Sequence, residues 1–535
     1  MNRKLFKIAG FVGIITVVSK IVGLLRDLVI AKFYGTTITA DAYNFAYLLT
    51  GNALILLGGL GGPFHSATIA TLTKIKDNAK DFGSFLTKIF TSTFIVLLLI
   101  TFAVIYFKTQ IVHFIAPATG HDISYQEKLW HLTVMQLEIM SPLIIISGLL
   151  GILCGVANVY GRYFWPSFSP VLPSIAIIFF VEICHGMSLQ GLYISGLVLG
   201  IGTLIGAALQ LLVQLPDLLK AGLYKNCRLT LIKNQKAVGD FNHFLGPAIL
   251  STSIGQITVY IDSFFCSGLQ EGSWTATVLA NRLIQLPLGV LLTSFLVPFF
   301  PRFSELAHAK NINALKETAI LVIKSLWFLT LPIAVYLFLF AKPVVEIVFQ
   351  RGAFDERSTM LTSSILIALL LSMIAYVARD TLTRVFYSFE NSRIPLLVAV
   401  FSIILKIILN GVFVEKYQAP GIAFSTSLVT LFNFLLLGFL LRKQIGCLGW
   451  LKHVRSLLKM GVATLIMYLF GVLFLLVFPV HMEQYGFFSK AILLSASFIV
   501  CFLIYYGLAL ALRVEEAASL VPVLKRFLTT TSLKT

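Results

Sequence analysis

Stretches of about 20 apolar residues recur along this 535-residue chain, each long enough to cross ~30 Å of hydrocarbon as an α-helix. They fall near 7–33, 42–72, 84–107, 129–157, 164–184, 190–217, 242–268, 274–300, 317–341, 358–389, 394–415, 419–442, 454–479 and 487–512. That makes about fourteen transmembrane helices, with loops too short to hold a soluble domain. Composition agrees: 58% of residues are hydrophobic and 12% charged, against about 25% charged in a soluble globule. The expected fold class is an all-α integral membrane protein.

The net charge of +18 raises the question of nucleic acid. No basic run interleaves with aromatic residues on a soluble domain, so no nucleic-acid partner is expected. The charge follows instead the bias of Lys and Arg toward cytoplasmic loops. With the N-terminus inside, those loops hold Lys74, Lys76 and Lys80; Lys220, Lys225, Arg228, Lys233 and Lys236; Arg302, Lys310 and Lys316; Arg442, Lys443, Lys452, Arg455 and Lys459. Outside loops such as 182–190 and 270–274 carry none. An even helix count returns Lys525 and Arg526 to the cytoplasm, so both termini are expected there. The start, MNRKLFKIAG, has the basic beginning of a signal peptide. Its apolar stretch carries Lys20 and Arg26, however, and reads as a retained first helix. The cysteines (Cys154, Cys184, Cys227, Cys266, Cys447, Cys501) are scattered, without CxxC or Cys/His ligand spacing. Neither a metal site nor a disulfide framework is expected, and no cofactor.

The chain also repeats itself. An offset of 235 maps Asp27 onto Asp262, Pro63 onto Pro298, Phe64 onto Phe299, Asn78 onto Asn313 and Ala79 onto Ala314. An offset of 230 maps Gly191 onto Gly421 and Ser195 onto Ser425. The register holds across six helices, and an even number makes the repeat parallel. The expectation is two six-helix lobes, 1–225 and 226–445, around a central cavity. Residues 446–535 add two helices and a cytoplasmic tail.

Polar residues break the apolar pattern in a regular way. In the first helix Thr16, Ser19, Lys20, Gly23, Arg26 and Asp27 fall on one helical face. Ionised groups facing lipid cost roughly 3 kcal/mol or more each, so the stripe implies a wet, positively charged cavity. Structural pairing of Arg26 and Asp27 with neighbouring helices is the other reading. Gly23 leaves room for a bulky group to approach the backbone. The seventh helix repeats the design with Ser251, Gly255, Thr258 and Asp262; the eighth aligns Asn281, Arg282, Gln285 and Gly289. Arg282 is a second cationic candidate, for substrate or for a salt bridge to Asp262.

The tenth helix offers two i,i+4 pairs, Arg379 with Thr383 and Asp380 with Arg384. Lys406 and Asn410 are spaced alike on the eleventh. A lone Lys at mid-membrane wants an acid, and Asp262 is the natural candidate. Asp41 opens the second helix, either as an N-cap or as part of a gate. Glu138 suits packing, pairing or proton handling. His65, His113, His121 and His131 show no metal-ligand pattern. No phosphate loop GxxxxGK[ST], HxxxxD acyltransfer pair or aspartate-rich motif is present, so a transporter rather than an enzyme is expected.

The segments SKIVGLLRDLVIAKFYG and TADAYNFAYLL, followed by LQLLVQLP, LGPAILSTSIGQITVYIDSFF, ANRLIQLPLGV, VFQRGAFD and RVFYSFENSRIP, resemble the MurJ (MviN) family of lipid II flippases. The resemblance covers helices 1–12. The family belongs to the superfamily of multidrug, oligosaccharidyl-lipid and polysaccharide exporters. The resemblance implies fourteen helices in two lobes around a cationic cavity. It also implies transport of lipid II, the undecaprenyl-diphosphate-MurNAc-pentapeptide-GlcNAc precursor of the cell wall, across the bacterial inner membrane. Membrane lipids and cell-wall synthesis enzymes are the further partners it suggests. The family's cationic residues match Lys20, Arg26 and Arg282, and its acid at the start of the second helix matches Asp41. One departure stands out. Many members carry paired arginines and an acid further along the second helix, where this chain reads TGNALILLGGLGGPFHS. Arg379, Arg384 or Lys406 are candidates to replace them, and the glycines point to a flexible or closely packed segment. The alternatives are an exporter of another lipid-linked oligosaccharide, a cation-coupled drug exporter, a membrane transferase or a non-transporting scaffold.

Overall fold

A computed structural model describes residues 3–59, 61–75, 79–187, 196–216, 235–477 and 486–518. Outside them lie the basic loop with Lys220, Lys225, Arg228 and Lys233, the positions Lys76, Asn78, Gly191 and Ser195, Cys227, and the tail with Lys525 and Arg526. Within the described residues the expected apolar stretches are largely helical, and no strand is present. Among them, eight helical spans are long and apolar enough to cross a membrane. The chain divides into two compact units, 1–278 with 351–355, and 279–350 with 356–535.

The first unit contains α1 (Arg3–Tyr34), α2 (Ile38–Leu56), α3 (Pro63–Ile75), α4 (Ala79–Tyr106), α5 (Lys108–Ile115), α6 (Ile123–Met140), α7 (Leu143–Val159), α8 (Phe164–Phe168), α9 (Val171–Gly186), α10 (Leu197–Leu212) and α11 (Gln235–Ser267). The start of α12 (Ser273–Leu291) also lies in it. Its core gathers Phe64, Leu97, Met140, Leu150, Ile152, Ile177 and Leu199. A small-xxx-small pair, Gly151 and Gly155, lets α7 lie against α3: a Cβ there would stand 2.7 Å from Phe64 Cβ or Thr68 Cβ. The outer face of α4 exposes Phe94, Ile95, Leu99 and Phe102, a surface that suits lipid and not water.

The second expected span, 42–72, is not one helix. It breaks after Leu56 and resumes at Pro63, across a glycine-rich stretch that holds a helix poorly. The break is closely packed: a Cβ at Gly58 would meet Ser147 O at 2.6 Å. His65 braces it, its Nδ1 accepting the Gly61 N–H at 3.1 Å and its Nε2 2.7 Å from the Asn158 side-chain amide. The fourth span likewise divides at Ser141–Pro142.

The second unit takes the rest of α12, then α13 (Val297–His308), α14 (Ile312–Leu339), α15 (Ala341–Phe349), α16 (Glu356–Ser388), α17 (Arg393–Ile445), α18 (Val454–Val477) and α19 (Phe487–Ala511). A π-helical turn, Leu292–Leu296, separates α12 from α13, with Pro287 before it and Pro298 after. In α17 the backbone leaves helical geometry at Gln418 (φ 54°), two residues before Pro420. Hydrogen bonds from Ser402 to Asn433 and from Ser425 to Asn410 centre on that break, so its halves run antiparallel. Phe328 and Tyr336 of α14 and Phe340 just after it pack with Met460, Met467, Cys501 and Tyr505 of α18 and α19.

Candidate functional site

The polar face of α1 is open where the sequence places its glycine. A Cβ on Gly23 would meet nothing within 4 Å, and the same holds for Gly255 on α11. Ser19 and Lys20 are half-buried beside Gly23. Nearer the end of the helix, Arg26 and Asp27 side chains keep only 12% and 9% of their exposure. Arg26 donates to Asp27 Oδ1 through Nε (2.9 Å) and Nη2 (2.7 Å). The acid sits one residue along the same helix, so the pair is local. Beyond it, Arg26 Cζ stands 6.0 Å from the ring centroid of Tyr47 on α2. The side chains of Thr16 and Ser251 lie outside the described residues.

Asp41 does cap a helix, but not its own. The N-cap of α2 is Thr37, and Asp41 is a full turn further on. Its Oδ2 accepts the Gly272 N–H at 2.7 Å; its Oδ1 accepts the N–H and hydroxyl of Thr275 at 2.8 and 2.6 Å. Those donors open α12. In return Glu271, just before α12, accepts the Ile38 N–H at 2.6 Å at the start of α2. Each helix start supplies the carboxylate that satisfies the other's orphan N–H groups. The two helices are repeat partners, since both bounds of α12 lie 235 residues after those of α2. Gly272 makes the approach possible: its φ is +87°, and a Cβ would fall 2.2 Å from Thr36 O. Asn44 adds a bond to Thr275 Oγ1 (3.0 Å), and Phe45 stacks on Trp274 at 5.7 Å. Sequence reading picked out Asp41 and missed Glu271, Gly272 and Thr275; the offset of 235, carried on to Ile38 and Ser273, was the signal for them.

The remaining candidates divide between the units. Asp262 is half-buried on α11 in the first. In the second, Arg282 is half-buried and Gln285 exposed on α12. On α16, Arg384 Nε pairs with Asp380 Oδ2 at 3.2 Å, as the i,i+4 spacing predicts, and lies 5.9 Å from the Phe300 ring. Arg379 faces the Tyr376 ring at 4.2 Å; Thr383 bonds the Arg379 carbonyl, not its guanidinium. Lys406 is buried and donates to Ile422 O (3.3 Å), Ser425 Oγ (3.1 Å) and Thr426 Oγ1 within α17. Glu138 pairs with Lys108 at 2.5 Å. Among the described residues no group of three or more His, Cys, Asp or Glu is arranged to hold a metal ion.

Helices long and apolar enough to cross a membrane, repeated along the chain, define a multi-pass α-helical membrane protein. A family model described as "Lipid II flippase MurJ" matches residues 30–496. The Synechocystis sp. protein named "Probable lipid II flippase MurJ" is 32% identical over 465 residues, 85% of each chain. A Buchnera aphidicola protein of the same name is 30% identical over 437 residues, 80% of this chain and 81% of its own. The chain belongs to the MurJ family of lipid II flippases. The solved structure "Lipid II flippase MurJ, inward closed conformation" matches with TM-score 0.72 at 23% identity, over 93% of this chain and 99% of that one. An inward-facing multidrug resistance MATE family transporter matches with TM-score 0.64 at 13% identity, over 80% and 95%. At those identities the structural likeness speaks for the fold alone.

Proposed function

We propose that the protein carries lipid II from the cytoplasmic to the periplasmic leaflet of the bacterial inner membrane by alternating access. The observation that carries this reading is the largely buried Arg26 on a helix face left open at Gly23, in a chain of this family. Lys20, Arg26 and Arg282 hold the diphosphate by charge-assisted hydrogen bonds, with Gly23 and Gln285 beside it. The sugar-peptide headgroup occupies the cavity between lobes 1–225 and 226–445. The polyprenyl tail stays in lipid, in a groove formed by α18 and α19. Both termini lie in the cytoplasm.

The crossed caps of α2 and α12 act as the outer gate. While Asp41 and Glu271 hold their N–H groups the outer end is closed, and rocking of the lobes breaks them to release cargo. Asp27, Asp262, Arg379, Arg384, Lys406 and Asn410 are the coupling candidates. Moving charge across the field is worth ~2.3 kcal/mol per charge per 100 mV, so membrane potential drives the reset. Membrane lipids and the cell-wall synthesis enzymes that consume the product are its further partners. The test is exposure of lipid II headgroups at the outer surface after depletion of the protein. Exposure is expected to collapse; unchanged exposure in a cell without a second flippase refutes the assignment.

A further inference from the structure

We propose that Tyr47 is a positioning residue for Arg26: its ring, laid over Gly51, sets the plane in which the guanidinium meets the substrate's diphosphate. The inference rests on the reading that Arg26 binds that diphosphate.

The Tyr47 centroid lies 6.0 Å from Arg26 Cζ, at the range where a cation is drawn to the negative face of an aromatic ring. Asp27 takes Nε and Nη2 on one side. A guanidinium carries five N–H donors in a rigid plane, so an acid at one edge and a ring nearby restrict how its remaining donors point. A single ion pair would leave the group free to swing about the Asp27 oxygen.

The place of the ring is set by its own helix. A Cβ on Gly51 would stand 2.3–2.4 Å from three carbons of the Tyr47 ring. The ring therefore fills the space that any side chain at position 51 would take. Helical side chains lean toward the N-terminus, and a ring resting on the turn that follows it needs a residue with no side chain there.

The far side is braced as well. The Tyr43 ring lies 5.6 Å from that of Tyr47. The Thr203 hydroxyl donates to Leu199 O at 2.7 Å, so the buried Tyr43 hydroxyl donates to Thr203 Oγ1 at 3.0 Å. A row of side chains thus runs from α10 through α2 to the charge on α1.

The experiment is binding of lipid II bearing a fluorescent pentapeptide to the full-length protein in nanodiscs. Tyr47→Leu should weaken binding about 2- to 30-fold, the range of a cation–π contact. Tyr47→Phe keeps the ring and should stay within about twofold of wild type. Gly51→Ala pushes the ring aside and should match Tyr47→Leu, with no further loss when the two are combined. In an Arg26→Ala background Tyr47→Leu should cost nothing more. If Arg26→Ala weakens binding while Tyr47→Leu leaves it unchanged, or if Phe is as damaging as Leu, the positioning role is wrong and the site reading stands. If Arg26→Ala binds as wild type, the site reading falls and takes this inference with it.

Discussion

At the scale of single residues, the cost of charge in a membrane decides what Arg26 can be. A guanidinium among apolar helices survives only when paired or wetted, and here it has an acid, a ring and an open glycine close by. Hydrogen bonds to charged groups contribute about 1.5–3 kcal/mol, so Arg26→Ala is predicted to lower lipid II affinity about 10- to 100-fold. Arg26→Lys should recover part of this, because an ammonium cannot bridge two phosphate oxygens in one plane. Titration with fluorescent lipid II reads both. Gly23 tests the openness of the face. Gly23→Cys should react with a small water-soluble maleimide, and lipid II should protect it; a thiol facing lipid or packed helix would do neither. Lys20, Arg26, Arg282 and Asp41 were legible as candidates because charge inside an apolar run is visible one residue at a time. Their partners were not, since nothing in the chain near Asp41 announces Thr275.

At the scale of elements, helix ends carry most of the information. The crossed caps satisfy backbone N–H groups that α2 and α12 leave open at their starts. Asp41→Ala strands two of them, at about 1–3 kcal/mol each where buried. The expected result is a lower thermal midpoint and, on the gate reading, faster thiol labelling from the periplasmic side. Asp41→Asn, which retains one acceptor oxygen, should fall between. The second place where elements are tied together escaped sequence reading. Lys324 of α14 and Glu516, just beyond α19, are both 2% exposed and 2.6 Å apart. Glu515 adds a second contact to Lys324 at 3.2 Å, and Ser456 of α18 donates to Glu516 at 3.2 Å. Lys324→Met should destabilise by about 3–5 kcal/mol, because it leaves a buried carboxylate without its counter-ion. The double variant Lys324→Met/Glu516→Leu should regain most of that loss, measured by thermal unfolding in detergent. Retained stability in the single variant would show that the pair does not fasten α18 and α19 to α14.

At the scale of the whole molecule, the charge bias of the loops makes a prediction that side-chain contacts do not. A fluorescent protein fused at either terminus should fold in the cytoplasm and glow, and alkaline phosphatase at the same places should stay inactive. Phosphatase activity at one end alone would require an odd number of crossings. On this α2, Tyr47 lies by the cation of α1, with Gly51 one turn on and Tyr43 behind it.

The membrane class and the helical character of the apolar stretches could be read from the chain because both depend on apolar length, which adds up along neighbouring residues. The stripe on α1 belongs to the same kind of knowledge, since helical periodicity maps spacing onto a face. Folding alone settled which groups meet. Asp41 finds its donors 231 and 234 residues away, and Lys324 finds Glu515 191 residues away. Contacts of that kind turn on a few ångströms between distant segments, and on whether a glycine such as Gly51 or Gly272 lets two groups close the last of the distance. No local pattern encodes that.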